Sequence, residues 1–393
     1  MSAVELKFSR EEFHQRIAKT RRSMEKAGLE LLLVTDPSNM NWLTGYDGWS
    51  FYVHQCVLLG LEGDPIWYGR QQDGNGAKLT VFMNHDNILF YPDHYVMSVE
   101  RHPMDHLSAI LDDKGFGTGV IGVEMDNYYF SAACMESLRR NLPNARFQDA
   151  TALVNWQRAI KSPQELDYMK KAGQIVEAMH RRIWEVVEPG MRKCDLVAEI
   201  SATGIRGIEG QGGDYPAIVP LLPSGVEASA PHITWNDKPM KGGEATFYEI
   251  AGAVHRYQCP LSRTVYLGQP TQTFLDAEKA VLEGMEAGLE AARPGNLCQD
   301  IAQAFFDVLA KYDIVKDSRT GYPIGVSYPP DWGERTMSLR PGDTTPLEPG
   351  MTFHFMTGLW MEDWGYETTE SIVITESGAD CLTNLPRQMM VKT

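Results

Sequence analysis

Positive charge is scarce in this chain. Its 393 residues include 36 Lys and Arg against 52 Asp and Glu, a formal net charge of −16. A general nucleic-acid binder needs a basic footprint to neutralise phosphates, so no nucleic-acid partner is expected. Cysteine is sparse and scattered. The six thiols (Cys56, Cys134, Cys194, Cys259, Cys298, Cys381) form no CxxC pair and no dense framework, which argues against a zinc ribbon or a disulfide scaffold. Long apolar runs are missing too. The longest early one, 29–34, is interrupted by Glu30 and is far too short to span a bilayer, so no membrane partner is expected. Residues 1–7 carry no apolar signal core, and the expected location is the cytoplasm. No HExxH phrase, repeat or low-complexity tract stands out.

What is present reads as a globular protein. A chain with 43% hydrophobic and 22% charged residues can bury a large core, and its length allows two or three domains. Phe13, Ile17 and Met24 share one side of a helix over about 9–26, which Gly28 ends. Short apolar strands are expected at 31–35, 57–61, 66–69, 88–91 and 120–124, with helices at 105–111 and 131–142. This alternation predicts an α/β domain. A break follows near 157–165. Ser162 and Glu165 form a capping box and Pro163 suits the first helical turn, so a long helix should run from there to about Val187. Further helices are expected at 195–205, 273–292 and 299–312, and the last third is strand-rich and broken by prolines. The predicted class is α/β (α+β), with domains at 1–155 and 156–393.

Six phrases could carry chemistry. Ala230-Pro231-His232 precedes a Gly-Gly turn and a strand. That strand and the next contain Glu249-Ile250-Ala251-Gly252-Ala253 and Pro260-Leu261-Ser262-Arg263-Thr264. Gly321-Tyr322-Pro323-Ile324-Gly325 follows, then Met351-Thr352-Phe353-His354-Phe355-Met356, and finally Thr369-Glu370 before a closing strand at 371–375. Together they resemble the pita-bread family of creatinase, aminopeptidase P and prolidase (peptidase M24). The resemblance implies an N-terminal creatinase-like α/β domain and a C-terminal pita-bread catalytic domain. In the metal-dependent members, five carboxylate and imidazole ligands stand at the positions occupied here by Glu249, Pro260, Tyr322, Met356 and Thr369. Only Glu249 keeps a carboxylate, and the proline ring has no donor atom at all. A dication needs several O or N donors, so no metal and no other cofactor is expected. A rebuilt site drawing on His232, His354, Glu367 and Glu370 is the remaining way to hold one.

Loss of the metal suits a substrate that is already cationic at its reacting carbon. A dication about 4 Å from such a cation would cost about 8 kcal/mol at an effective dielectric of about 20. Amidinium and guanidinium carbons fit that description. Within the family the chain most resembles the metal-free branch that opens the cyclic amidine of ectoine. Creatinase carries a Glu just before the Arg-Thr of the central strand, where this chain has Ser262. The implied substrate is a small zwitterion, ectoine, and also its 5-hydroxy form. The implied roles are Glu249 as nucleophile or base and His232 as proton carrier, an imidazole being suited to proton transfer near neutral pH. The phrase Asn41-Trp42-Leu43-Thr44-Gly45-Tyr46 resembles the family's N-terminal region, which in creatinase-like homodimers reaches the partner's active site. Trp49 and Tyr52 beyond it, with Tyr322, His354, Trp364, Glu370 and Arg335, complete the expected substrate-binding set; aromatic faces and a guanidinium suit an amidinium carboxylate. Two alternatives stand beside this reading: a creatinase-like hydrolase of a guanidino acid, and an inactive pita-bread module that binds peptides.

Overall fold

The computed structural model describes residues 4–393, and the chain divides into two compact units between Arg158 and Ala159. The first unit opens with helix α1 (Arg10–Ala27). Ser9 Oγ accepts the Glu12 N–H at 3.1 Å, and Gly28 closes the helix at a φ of 69°. Phe13, Ile17 and Met24 are buried on it, as the periodicity predicts. Strands β1 (Leu31–Val34), β2 (Cys56–Gly60), β3 (Ile66–Arg70), β4 (Ile88–Tyr91), β5 (Val120–Val123) and β6 (Arg146–Asp149) form one sheet in the order β4-β3-β2-β1-β5-β6. β2 runs antiparallel to both neighbours, and the other pairs are parallel. Helices α2 (Pro37–Thr44), α3 (Gly74–Thr80), α4 (Pro103–Asp113), α5 (Ala132–Asn141) and α6 (Leu153–Gln157) complete the unit. Its core gathers Leu31, Leu33, Leu58, Tyr68, Leu107 and Leu138.

Three of these helices, α2, α3 and α6, have no counterpart in the predicted elements. Each has eight residues or fewer, too short to show a 3.6-residue period. The phrase at 41–46 straddles the end of α2. Trp42 is buried inside, and Gly45 takes a φ of 82°, where an added Cβ would lie 3.0 Å from the Thr80 carbonyl. That glycine is therefore required by backbone geometry.

The second unit begins with α7 (Pro163–Val186), whose capping box joins Ser162 and Glu165 as expected. α8 (Lys193–Arg206), α9 (Gln272–Ala291) and α10 (Cys298–Ala310) are its other helices. Its dominant feature is the hairpin of β7 (Glu244–Val254) and β8 (Tyr257–Leu267), paired without interruption from Glu244↔Leu267 to Val254↔Tyr257. The two-residue turn places His255 and Arg256 at φ 50° and 67°, the doubly positive combination that matches strand twist. α7 lies so close to the hairpin that a Cβ on Gly252 would come within 2.1 Å of the Ala172 carbonyl. β9 (Gly321–Pro323), β10 (Thr352–Met356), β13 (Thr369–Ile374) and β14 (Ala379–Cys381) form a second sheet, while β11 (Leu359–Trp360) pairs with β12 (Gly365–Tyr366) and β15 (Met390–Lys392) joins β8. α9 and α10 pack over a core that includes Val281, Phe305, Phe353 and Phe355. No helix of the described residues is long and apolar enough to cross a membrane.

Candidate active site

The site grows from one face of the β7–β8 hairpin. Antiparallel partners point to the same side of a sheet, so Glu249 shares its face with Ser262, and Ala251 with Pro260. The segment that becomes β13 crosses this face and is tied to alternate residues of β8. The Thr264 hydroxyl donates to the Glu367 carbonyl at 2.8 Å and accepts the Glu367 N–H at 3.0 Å. The Ser262 N–H donates to Thr369 Oγ1 at 2.8 Å, and Ser371 Oγ donates to the Pro260 carbonyl at 2.6 Å. Glu367, Thr369 and Ser371 are thus laid across Thr264, Ser262 and Pro260.

Two of the five positions that carry metal ligands in the family, Tyr322 and Thr369, have side chains taken up here by neutral hydrogen bonding. Trp332 Nε1 donates to the Tyr322 hydroxyl at 2.8 Å. Tyr322 Oη lies 2.9 Å from His354 Nδ1, and His354 Nε2 lies 2.8 Å from Thr369 Oγ1. An indole N–H can only donate, so the Tyr322 hydroxyl passes its own proton toward Nδ1. His354 then carries its proton on Nε2 and donates it to Thr369. Burial supports this neutral form: it pushes the His354 imidazole down to about 3, with Arg319 adding to the shift. Pro260 engages through its carbonyl alone, and Met356, in register with Thr369, is buried.

Beside this network lies a group of acids that form no ion pair, with Lys316 the cation that acts on them from further off. Glu249 is 4% exposed and Glu367 is fully buried. No donor lies at full hydrogen-bond geometry from either Glu367 oxygen; Ser262 Oγ, near enough to act on that carboxyl, and Trp360 Nε1 are likewise buried without a formed bond. Burial raises the Glu249 carboxyl well above its usual range, and Glu367 and then Asp331 push it further. Burial holds Glu367 at about 8, against the opposing pull of the Ser262 hydroxyl and Lys316. Burial and then Glu249 raise the Tyr322 phenol, which places that ring beside the same acid. Lys316 is brought down to about 8 by burial; its ammonium bonds Ser318 Oγ and the Gly358 carbonyl at 2.8 Å each and lies 4.1 Å from the Trp360 ring centre. Like-charged carboxyls in a dry pocket favour protonation or a cationic guest.

The donor set does not fit a dication. Proline, tyrosine, methionine and threonine stand at four of the five family ligand positions. Among the described residues, no three of His, Cys, Asp or Glu in this unit bring one ligand atom each within 4.8 Å of one another. The one such trio, His54, His102 and Cys134, lies in the first unit, where His102 Nδ1 is spent accepting the Met104 N–H of a helix cap.

The expected site residues scatter. Glu249, Tyr322 and His354 converge. His232 is exposed on the loop before β7; its neighbour Ile233 accepts the Leu222 N–H, and Leu221 bridges Glu249 through the backbone. Glu370 does not face the acids as an open group. Arg263 bonds it at 2.8 Å, Arg387 at 3.1 Å and Thr383 at 3.1 Å, so its charge is already matched. Trp364 packs on Phe274 at 5.5 Å beside the helical core. Arg335 is exposed at a φ of 55°. Trp49 and Tyr52 are 57% and 60% exposed in the first unit, where Tyr52 borders a cavity of about 190 Å³. Sequence reasoning left Asp331 and Lys316 aside, counted Trp360 only among the rings of the last third, and treated Glu367 only as a spare ligand. Glu367 stands two residues before an emptied ligand position, and that was the available signal.

Comparison with known proteins matches residues 167–376 to the metallopeptidase family M24 and residues 16–160 to the creatinase/prolidase N-terminal domain. Ectoine hydrolase of Halomonas elongata is 61% identical over 399 residues, covering 100% of both chains. An uncharacterized hydrolase/peptidase of Sinorhizobium fredii is 40% identical over 98% of this chain and 99% of its own, and the creatinase of a Bacillus species is 23% identical over 96% and 92%. The solved prolidase of Thermococcus sibiricus shares the fold at a TM-score of 0.84 and 18% identity, over 96% of this chain and 99% of that one.

Proposed function

This chain belongs to metallopeptidase family M24 with a creatinase/prolidase N-terminal domain, and from that premise we propose that it is a hydrolase that opens the cyclic amidine ring of ectoine. The product is N-acetyl-2,4-diaminobutyrate, and 5-hydroxyectoine is a second substrate. The observation that carries the reading is the buried Glu249 and Glu367, acids with no ion-pair partner at a site whose donors do not suit a metal. An amidinium supplies the missing positive charge. Its carbon is electrophilic without a Lewis acid, so water or a carboxylate can add to it directly.

Glu249 acts in its ionised form, as nucleophile on the amidinium carbon or as base on the attacking water. A bound cation offsets the repulsion from Glu367 and Asp331 and favours that form. His232 lies on the adjoining loop and exchanges protons with solvent. Tyr322 and His354, locked by Trp332 and Thr369, form a rigid polar wall with no ionised group. The reading includes a cytoplasmic homodimer in which the exposed Trp49 and Tyr52 of one copy serve the partner's site.

Incubation with ectoine and with creatine, followed by product mass, tests the substrate. Ectoine is expected to gain one water and creatine to remain intact; urea release from creatine would favour the guanidino-acid alternative, and consumption of neither would favour a binding module. Glu249→Ala is expected to reduce turnover by at least ~10³-fold, in line with the loss of a central catalytic group. Near-normal activity in that variant would remove both roles given to Glu249.

A further inference from the structure

We infer that Glu367 is a catalytic residue that holds a proton and delivers it to the departing ring nitrogen, while Glu249 works in the ionised form. The inference rests on the amidine reading above. Its first support is placement. Two bonds to Thr264 pin the Glu367 backbone, and Thr369, two residues on, is pinned to Ser262, the residue facing Glu249 across the hairpin. Its second support is the unmet bonding of the side chain. Both Glu367 oxygens are buried with no formed hydrogen bond, and the one hydroxyl that acts on them, that of Ser262, is equally unbonded. A carboxyl kept in this state costs stability, and the fold matches Glu370 nearby to two arginines.

Two buried acids that act on each other share their protons unequally. Burial holds Glu367 at about 8, so it is protonated at neutral pH. Glu249 feels Glu367 and Asp331 and is the group that a bound amidinium ionises. The other titratable groups facing the pair are Lys316, Asp331, the Tyr322 phenol and the neutral His354. His232 is the other candidate acid, but it is exposed.

The step balances as follows. Water adds to the amidinium carbon and gives one proton to Glu249, leaving a neutral carbon that bears a hydroxyl and two ring nitrogens. Glu367 protonates one nitrogen as the C–N pair returns to it and that bond breaks. The hydroxyl proton then passes to the Glu367 carboxylate as the amide carbonyl forms. The proton on Glu249 moves to the released amine, which leaves as ammonium. Both carboxyls end as they began, and the charge of the amidinium is carried away on the ammonium.

The test is the pH profile of kcat on ectoine in wild-type protein, Glu367→Gln, Glu367→Asp and Lys316→Gln. Glu367→Gln keeps the shape and loses the acid; kcat should fall ~10²–10⁴-fold with KM changed only severalfold, the usual scale of general acid catalysis. Wild-type kcat should decline as pH rises through about 8. That decline should vanish in Glu367→Gln, return with part of kcat in Glu367→Asp, and persist in Lys316→Gln, since Lys316 is the other group held near about 8. An effect confined to KM, or a decline removed by Lys316→Gln, overturns the inference. A wild-type kcat that stays flat above pH 8 overturns it with no variant needed. Absence of ectoine turnover by wild-type protein overturns the amidine reading and this inference with it; normal turnover with an unaffected Glu367→Gln overturns this inference alone.

Discussion

Glu334 and Glu370 on one side, and Glu249 and Glu367 on the other, are similarly buried carboxylates in opposite surroundings. Glu334 meets Lys161 at 2.6 Å with both side chains about 1% exposed, and Glu370 meets Arg263 and Arg387. Glu249 and Glu367 have no such cation, and each is raised by burial. The same unit can clearly build a matched ion pair, so the unmatched acids mark a place reserved for something else. Unpaired buried charge is a cost that folds tolerate mainly where chemistry needs it. The wall beside the acids makes the same contrast. Tyr322, His354 and Thr369 satisfy one another without charge, and the acids beside them are the two glutamates and Asp331.

The comparison can be broken first at its matched side. Lys161→Met should destabilise the protein by about 3–5 kcal/mol, because it strands Glu334 without its cation. Chemical denaturation at neutral pH measures this. A loss below ~1 kcal/mol would show that the Lys161–Glu334 pair is not held as a dry ion pair.

The unmatched side should respond with the opposite sign. The folded protein keeps the Glu367 proton up to about 8, while the unfolded chain releases it above the ordinary value of 4.5. Between those limits the unfolded state binds fewer protons. The Glu367 contribution to stability is therefore present at low pH and lost as pH rises through about 8. Glu367→Gln removes that slope and should leave the protein more stable than wild type at alkaline pH by a few kcal/mol, at ~1.4 kcal/mol per pH unit. Unfolding midpoints from pH 5 to 9 in wild-type and variant protein check this; parallel curves would count against it.

The smallest effect is expected at the neutral wall. Tyr322→Phe leaves Trp332 Nε1 and His354 Nδ1 without their shared hydroxyl, at a cost of about 1–3 kcal/mol. Thermal unfolding of the variant reads it, and an unchanged melting temperature would mean that the hydroxyl does not join the two groups.

Much of the fold was legible before any coordinates. Ser9 and Gly28 delimit α1, and the Ser162–Glu165 box opens α7, because capping depends on residues within a few positions of each other. The emptied ligand positions were legible for the same reason, since side-chain identity decides whether a donor exists. The candidate site was legible only in part. Glu367 and Glu370 stand three residues apart, and their types are identical. Glu370 was expected to touch substrate, yet it is bound by arginines, while Glu367, considered only as a spare metal ligand, forms no ion pair. Trp364, expected to line the site, packs instead on the helical core.

What the sequence by itself determined is the set of local choices: where helices begin and end, which hairpin residues share a face, and which residue types stand at the positions that the family resemblance assigns to metal ligands. What only the tertiary structure decided is which buried charges are matched. Lys161 finds Glu334 across 173 positions and Arg263 finds Glu370 across 107, distances over which no local periodicity speaks. The electrostatics of a buried acid depend on every charge within a few ångströms, wherever it lies in the chain. That dependence is why one glutamate in the segment after Gly365 became part of an ion pair and its near neighbour became an acid without a partner.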